Sequence, residues 1–425
     1  MFLNLKVKNF KSFKDLTEFS LEATKLKNMI DSNTFEENNL LILKSAVIYG
    51  ANASGKSNLL GAIEKMIEIV KFSIDIEKAK QYNHQPFLLN CDSETSVTLF
   101  ETNIVLDEII YRYGFEITSK GDIENEWLFQ KKLKQYAKEV LLFNRKNENI
   151  ELGSSFTEGK GIQNKTRKNS LFISVVAQFN GIISQKLLDW FSSINILSNI
   201  RTEEFKHFSF DMLEDESFKN KIISFIKSAD TGITSIHKTK LSYDKLKNED
   251  SELLGLPDFI LDKIKEEGLS TIETMHMQYD KENNFTKLKT FNLDFESDGT
   301  QKLLAISAPI IDTLQSGSVL FVDELDNSMH TDLVEAIVKL FNSSDTNKNN
   351  AQLIFTTHDT NLLNQELFRR DQIWFTQKDI YGASELYSLI EYGKGKTRDD
   401  LVLEKNYKKG IFGGKPHIDS LFYEA

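Results

Sequence analysis

The residues most able to do chemistry lie in the stretch AVIYGANASGKSNLL, from Ala46 to Leu60. A short apolar run precedes a glycine loop that fits G-x-x-x-x-G-K-[ST] at every fixed position. In such a loop the backbone N–H groups point at phosphates, the lysine reaches the terminal phosphates, and the serine hydroxyl binds Mg²⁺. A helix that begins there adds the positive end of its dipole. The candidate contact residues are Gly50, Asn52, Ser54, Gly55, Lys56, Ser57 and Asn58.

A chance glycine-rich turn is the alternative interpretation of this loop. The apolar run, the loop and the helical pattern after it nevertheless stand in the order that phosphate binding requires. The stretch therefore predicts a site for a nucleoside triphosphate, with ATP and Mg²⁺ as the expected ligands.

A second apolar run, SVLFV, ends in the acids Asp323 and Glu324. A buried parallel strand would carry Asp323 to the sheet edge beside the phosphate loop, where it would hold Mg²⁺ through water. Glu324, one residue further on, is the candidate general base for an attacking water. An apolar run that ends in two acids is common, and it becomes specific only downstream of a phosphate loop.

A third run, QLIF, is followed by Thr-Thr-His358-Asp359. A histidine at the end of such a strand is placed to hydrogen-bond the terminal phosphate and the attacking water. The alternative is a surface histidine in a loop. The spacing after Asp323 and Glu324 favours the phosphate-sensing role.

The residues Ser297 and Gly299 stand at the predicted start of a helix just before the acidic run. A second anion-binding helix end makes sense if it serves a phosphate that another subunit holds. An ordinary capped helix explains the same residues when they are considered alone.

Hydrophobic periodicity places strands and helices around these motifs. Alternating residues predict strands at Phe2–Val7 and Phe19–Glu22, and several antiparallel strands between Ser96 and Phe143. The polar segment 25–39 is predicted to be a loop, and helical spacing follows the phosphate loop to about residue 80. Helical patterns also cover 170–200 and 218–229, another helix is expected from Pro257, and strand-like patterns return at 275–279 and 285–295.

Composition limits the classes of protein. The 425 residues are 40% hydrophobic and 27% charged, which is typical of a soluble globular protein with two or three domains. No apolar run is long enough to cross a bilayer, and the single Cys91 fits a reducing cytoplasm. The net charge of −11 argues against a surface covered with positive charge for nucleic acid. Local basic stretches at 131–146, 160–168 and 405–415 leave DNA contact open, although solvated faces explain them as well.

Together these motifs resemble the ABC-type ATPase heads of the SMC, RecF and OLD group. The phosphate loop is similar to Walker A, VLFVDE to Walker B, TTHD to the switch-histidine strand, SDGTQ to the LSGGQ-like signature, and VKNFKSF to the N-terminal stretch beside the nucleotide. The resemblance implies an α/β fold: a P-loop ABC-type ATPase head with a mixed sheet, plus an antiparallel β subdomain and a helical insert. It also implies a Q-loop glutamine that contacts Mg²⁺. Gln85 is the candidate, and a turn before a strand explains it equally well.

The resemblance covers roughly residues 1–70 and 290–400 and leads to four expected ranges. These are an N-terminal head lobe (1–95), an antiparallel β subdomain (96–150), a mainly helical insert (151–290) and a C-terminal head lobe (291–425). It implies a homodimer in which Ser297 and Gly299 of one chain face the phosphate that Lys56 of the other chain holds. Higher oligomers of such dimers are also possible.

Within that group, the chain is most similar to the stand-alone ATPases of the abortive-infection AbiLi/RloA kind, through GANASGKSNLL, the short insert and the tail YKKGIFGGKPHID. Such ATPases work with a separately encoded effector, often a nuclease or toxin. Too few residues follow His358 for the TOPRIM nuclease domain of the OLD proteins. The predicted function is therefore an ATPase switch in phage defence. The alternatives are a RecF/SMC-like repair ATPase that binds DNA, and a scaffold whose ATP site is structural.

Overall fold

The protein, seen here in a computed structural model, is described at residues 1–80, 84–134, 136–198, 208–241, 269–391 and 403–415. The chain forms two compact units. The first comprises Met1–Ile196, Thr313–Asp326 and Val334–Ala425, and the second comprises Leu197–Asp312 and Asn327–Leu333. Both units are discontinuous in sequence.

The strands have the following bounds in chain order. They are β1 (Phe2–Lys8), β2 (Thr17–Ser20), β3 (Thr34–Glu37), β4 (Leu40–Leu43), β5 (Ser45–Gly50), β6 (Thr98–Leu106), β7 (Ile109–Ile117), β8 (Ile123–Lys132), β9 (Val140–Lys146), β10 (Asn149–Leu152), β11 (Asn195–Leu197), β12 (Ile233–Leu241), β13 (Leu269–Tyr279), β14 (Phe285–Asn292), β15 (Val319–Val322), β16 (Gln352–Thr356), β17 (Ile373–Lys378) and β18 (Ser384–Ser388). The helices include α1 (Ile30–Asn33), α2 (Lys56–Phe72), α3 (Ile76–Lys80), α4 (Cys91–Thr95), α5 (Phe172–Gln178), α6 (Ile182–Ser192), α7 (Glu216–Ser228), α8 (Asp298–Ser316), α9 (Thr331–Asn342) and α10 (Leu403–Lys408).

One sheet of the first unit is antiparallel, in the order β10-β9-β8-β7-β6-β1-β2. The strands predicted between Ser96 and Phe143 are confirmed, and the last of them, β9, extends to Lys146. Because β6 pairs with β1, with Leu5 opposite Thr102, the N-terminal strands and the predicted β subdomain form a single sheet.

The second sheet has the order β11-β15-β16-β5-β17-β18. Its four central strands are parallel to one another, with β5 between β16 and β17. Every residue of β5, β15 and β16 is buried, as expected for strands that are covered on both faces. The parallel arrangement brings the carboxyl ends of these strands to one edge, and all three of the predicted motifs on them follow those ends.

A buried glutamine ties the two sheets together. The side-chain amide of Gln352 on β16 accepts the N–H of Phe2 at 2.7 Å and donates to the carbonyl of Phe2 at 3.0 Å. Helix α2, which the periodicity predicted, packs its buried face, including Ile63 and Met66, into the same core. The start of the chain therefore supports the strand that precedes His358.

The expectation of a loop across residues 25–39 is wrong in part. The segment contains α1, and β3 pairs with β4 in a hairpin, with Phe35 opposite Ile42. Asn38 and Asn39 make the turn with φ of 46° and 69°. Two asparagines in the left-handed region form the kind of two-residue turn that favours a hairpin. The polar composition of the segment concealed this signal.

The second unit contains α7, the antiparallel sheet β12-β13-β14 and most of α8. Its own hydrophobic core includes Ile222 and Ile226 of α7, Ile236 and Ile272 of the sheet, and Leu303 of α8. The predicted helix at 218–229 and the predicted strands near 275 and 285 are confirmed. The helix predicted from residue 257 lies outside the described residues. No helix among the described residues is long and apolar enough to cross a membrane.

Candidate functional site

The phosphate loop connects β5 to α2, as the sequence predicts. Gly55 has a φ of 119° and Ala53 a φ of 60°, so the chain reverses within the loop through left-handed conformations. Gly55 then precedes the first residue of α2, Lys56. The N-terminus of this 17-residue helix therefore begins inside the loop, where its free N–H groups and dipole favour an anion.

Residues far away in the sequence hold the loop in this shape. The hydroxyl groups of Ser54 and Thr376 lie 2.5 Å apart, and the hydroxyl of Ser384 donates to the carbonyl of Ser54 at 2.6 Å. A Cβ on Gly50 would lie 2.6 Å from the carbonyl oxygen of Thr376 and even closer to the Thr376 hydroxyl. Sequence reasoning missed Thr376 and Ser384, because no local pattern relates β17 and β18 to the loop.

The side chain of Lys56 is folded back onto its own loop. Its Nζ donates to the carbonyls of Gly50 at 2.8 Å and Ala51 at 3.1 Å, and the residue is only 5% exposed. Burial lowers the pKa of Lys56, while the carboxylates of the segment 323–326 act in the opposite direction. The structure thus brings this predicted phosphate ligand close to the acids that follow β15.

A threonine organises the two predicted acids. The Thr356 hydroxyl donates to Oδ1 of Asp323 at 2.6 Å and accepts the backbone N–H of Glu324 at 2.7 Å. Glu324 itself has a φ of 50°, a left-handed conformation that is unusual for this residue type and typical of strained functional positions. Thr356 is fully buried at the end of β16. Its place as a polar residue ending an apolar run was the available sequence signal, and it was overlooked.

The predicted sensor histidine lies beside the predicted base. Nε2 of His358 is 3.8 Å from a carboxylate oxygen of Glu324, and these side chains are 40% and 34% exposed. The backbone N–H of His358 donates to Oδ2 of Asp326 at 3.1 Å. Oδ1 of Asp326 is buried and, among the described residues, lacks a hydrogen-bond partner. The arrangement leaves the facing groups of Glu324 and His358 open to water.

The residues that would hold Mg²⁺ are oxygen donors, which this ion prefers. Asp323 uses Oδ1 in its bond to Thr356, and no hydrogen bond within the described residues involves its Oδ2. Ser57 is exposed at the start of α2, and its hydroxyl has no hydrogen-bond partner in the described part of the chain. This donor set fits the ion that accompanies nucleotide phosphates.

The N-terminal stretch NFKSF lies against the loop, and Gln85 lies near that stretch. Nδ2 of Asn58 donates to the Ser12 hydroxyl at 2.7 Å, and the N–H of Lys11 donates to the carbonyl of Gln85 at 2.7 Å. Lys11, Ser12, Asn58 and Gln85 also border one cavity of about 540 Å³. The proposed metal role of Gln85 stays a prediction.

The candidate signature residues belong to the second unit. The hydroxyl of Ser297 accepts the N–H of Thr300 at 3.2 Å, so Ser297 caps α8. A Cβ on Gly299 would approach the carbonyl oxygen of Ser328 to 2.5 Å. Ser297 is exposed, and its role toward a phosphate stays a prediction.

Comparison with curated proteins found no match. Among solved structures, the chain aligns with an Smc head bound to the C-winged helix domain of ScpA, at 14% identity and a TM-score of 0.45, over 91% of this chain and 97% of that chain. It also aligns with an Smc head domain with an extended coiled coil, bound to the C-terminal domain of ScpA derived from Pyrococcus furiosus. That alignment has 13% identity and a TM-score of 0.38, over 96% of this chain and 98% of that chain. Residues 45–364 match the family described as "AAA domain, putative AbiEii toxin, Type IV TA system", and the chain therefore belongs to this AAA family.

Proposed function

We propose that this chain binds ATP at the phosphate loop and hydrolyses it to ADP and phosphate. The observation that carries the proposal is the arrangement of Glu324, which lies 3.8 Å from His358 and has its backbone fixed by Thr356. A partly exposed carboxylate beside an imidazole, next to a phosphate-binding loop, is suited to activating water for attack on a phosphate.

In this proposal each side chain has a separate task. Glu324 accepts the proton of the attacking water, and His358 donates a hydrogen bond to the terminal phosphate. Lys56 leaves the loop carbonyls and binds the phosphates as a point charge. Ser57 and Asp323 would hold Mg²⁺, which when bound offsets the negative charge of the phosphates.

The experiment is Glu324→Gln, which keeps the shape of the side chain and removes its basicity. We expect hydrolysis to fall by about 100-fold or more, while ATP affinity stays near the wild-type value. Glu335→Gln is the matched control, since Glu335 pairs with Lys339 on the surface of α9. Unchanged hydrolysis in Glu324→Gln would show that another group is the base. The scaffold alternative is removed if the wild-type protein turns over ATP.

We also propose that two chains sandwich the nucleotide. Ser297 and Gly299 of one chain would face the phosphate that Lys56 of its partner holds, in a two-fold arrangement that uses the same patch on both subunits. The N-terminus of α8, capped by the exposed Ser297, supports this role, because it offers a second helix end for an anion.

Mixing two inactive variants tests the composite site. Lys56→Ala disables the loop of one chain, and Ser297→Glu places a carboxylate where a phosphate would approach in the other. If sites are shared, mixing restores about a quarter of wild-type hydrolysis, because half of the dimers formed at random are mixed and each has one intact site. A mixture as inactive as its components would contradict the shared site.

For the biological role, we propose an ATP-dependent switch of the AbiLi/RloA kind in anti-phage defence, which controls a separately encoded nuclease or toxin. The family description, which names a putative AbiEii toxin and a Type IV TA system, supports this proposal. Co-expression with the genomic neighbours and purification in ATP should recover such an effector. The Glu324→Gln variant should change how much is recovered, and an equal yield from both proteins would contradict the switch.

The repair alternative predicts free basic surfaces for DNA. Two members of the basic stretches are already engaged: Arg145 is 1% exposed and donates to the carbonyls of Ser170 and Arg167, and Lys168 pairs with Asp122. Burial and these bonds favour a structural role for Arg145, whereas the side chain of Lys168 is 65% exposed and its ion pair lies at the surface. We retain the switch in defence because the family description supports it.

A further inference from the structure

A cavity of about 600 Å³ separates the phosphate loop from the last described part of the chain, residues 403–415, called here the C-terminal segment. Ala51, Asn52 and Ser54 of the loop line one side. The other side includes Lys378, which ends β17, and Lys409 and Lys415 of the C-terminal segment. Asn52 and Ser54 are among the loop residues proposed above to contact the phosphates of the nucleotide.

Aromatic packing holds the C-terminal segment in place. The ring centroids of Tyr407 and Phe412 lie 5.5 Å and 5.8 Å from that of Phe375 on β17. Tyr407 also contacts Tyr49, on the strand that leads into the loop. In addition, the hydroxyl of Tyr387 donates to the carbonyl of Phe412 at 2.6 Å. The wall of the cavity is thus built on the same strands as the loop.

Two glycines bring the segment close to β17. Gly413 and Gly414 have φ values of 71° and 64°, in the left-handed region that favours glycine. A Cβ on Gly413 would lie 2.5 Å from Oε1 of Gln377, so a larger residue would have to displace this side chain in addition to adopting the strained φ. The turn directs the chain into Lys415, and the lysine thereby borders the cavity.

The charged residues among the described lining of the cavity are all lysines. None of the described residues that line it is acidic. Nζ of Lys415 donates to the carbonyl of Lys408 at 2.6 Å. No ion pair or hydrogen bond of the Lys378 or Lys409 ammonium groups occurs within the described residues. In a chain of net charge −11, three lysines around one cavity favour an anionic ligand.

We infer that Lys378, Lys409 and Lys415 bind the phosphates of the nucleotide held by the loop, so that the C-terminal segment forms a second, cationic wall of the ATP site. The inference rests on the proposed nucleotide binding and adds residues outside the loop motif to it. A lysine contributes to phosphate binding as a flexible point charge. Its attraction to a phosphate is only weakly screened by salt when both groups lie in the same cavity.

The test compares three variants by titration calorimetry with ATP. Replacing all three lysines by alanine is expected to weaken ATP binding by about tenfold, as three exposed charge contacts of ordinary strength would. Replacing all three by arginine should keep the affinity within about twofold, since the charge remains. Lys405→Ala is the matched control, because Lys405 is exposed on α10 and does not border the cavity.

The outcomes separate this inference from the proposed function. If wild type binds ATP and Lys56→Ala does not, but the triple alanine variant binds like wild type, the cationic wall is wrong and the ATP site stands. If Lys56→Ala also binds like wild type, the proposed ATP site is wrong. All three lysines are exposed, so the variants should melt like wild type without nucleotide. Should the triple variant melt early, the single Lys409→Gln must still weaken binding by about twofold, or the inference fails.

Discussion

Two helices of this protein begin with glycine and serine close together, and they are constructed differently. At the start of α2, the loop is shaped by Thr376 and Ser384, hydroxyl residues from strands more than three hundred positions away. At the start of α8, Ser297 caps the helix with its own hydroxyl, bonded to Thr300. The first helix start depends on the tertiary structure, whereas the second is largely defined by the local sequence.

The difference also concerns what each helix start can do alone. The loop before α2 lies near the acids of segment 323–326, which influence the pKa of Lys56. Apart from Ser297 and Gly299, the residues proposed for the phosphate, metal and base roles all belong to the first unit. The start of α8 offers N–H groups and the Ser297 hydroxyl to an anion. In the proposed dimer, the other subunit would supply the remaining groups of that site.

The largest expected effect is on ATP affinity, which should respond differently to substitutions at the two helix starts. Lys56→Ala removes a buried ammonium group beside the loop and should weaken ATP binding by about 100-fold. Ser297→Ala should leave the affinity of the separate chain within about twofold of wild type, because the serine contributes only in the assembled dimer. Titration of both variants with ATP, at concentrations below dimer formation, measures this. Equal losses of ATP affinity in the two variants would show that the two helix starts do not differ in this way.

A second prediction concerns the two glycines and the free energy of unfolding. Gly50→Ala forces a methyl group against the hydroxyl and carbonyl of Thr376, and should destabilise the protein by about 2–3 kcal/mol. Gly299→Ala meets the Ser328 carbonyl at the more open start of α8, and should cost about 1 kcal/mol.

Gly61→Ala is the control for these two glycines in a chemical denaturation experiment. This glycine lies inside α2, near only the flexible end of Lys11, and alanine there should stabilise by about 0.5–1 kcal/mol through helix propensity. If Gly299→Ala lowers the free energy of unfolding more than Gly50→Ala does, the loop before α2 is less constrained than its contacts with Thr376 indicate.

The smallest expected effect concerns Thr356. Thr356→Val removes the hydroxyl that bridges Asp323 and the N–H of Glu324, at almost constant volume, and should cost about 1–2 kcal/mol of stability. Thr356→Ser keeps the hydroxyl and is the control. We expect Thr356→Val to slow ATP hydrolysis as well, because the base loses a support of its position. A valine variant as active as the serine variant would show that Thr356 only stabilises the fold.

Much of the site was predictable because its parts are local in sequence. The loop residues, Asp323, Glu324 and His358 each follow an apolar run, and the parallel sheet brings the ends of those runs to one edge. The same reasoning missed Thr356, which the motif contains but whose two bonds depend on register between β15 and β16. It also missed the hairpin at Asn38 and Asn39, where a turn signal is hidden in a polar segment.

The phosphate loop shows which features of the site follow from the sequence and which depend on the tertiary structure. The sequence by itself determined the ligand chemistry, since glycine, lysine and serine at fixed spacing define a phosphate-binding turn through short-range sterics and charge. Only the tertiary structure decided what surrounds that turn: the hydroxyls of Thr376 and Ser384 beneath it, and the lysines of residues 403–415 across the cavity. Segments that pack together from distant parts of the chain have no fixed spacing in sequence. For this reason, no local sequence pattern predicts their contacts.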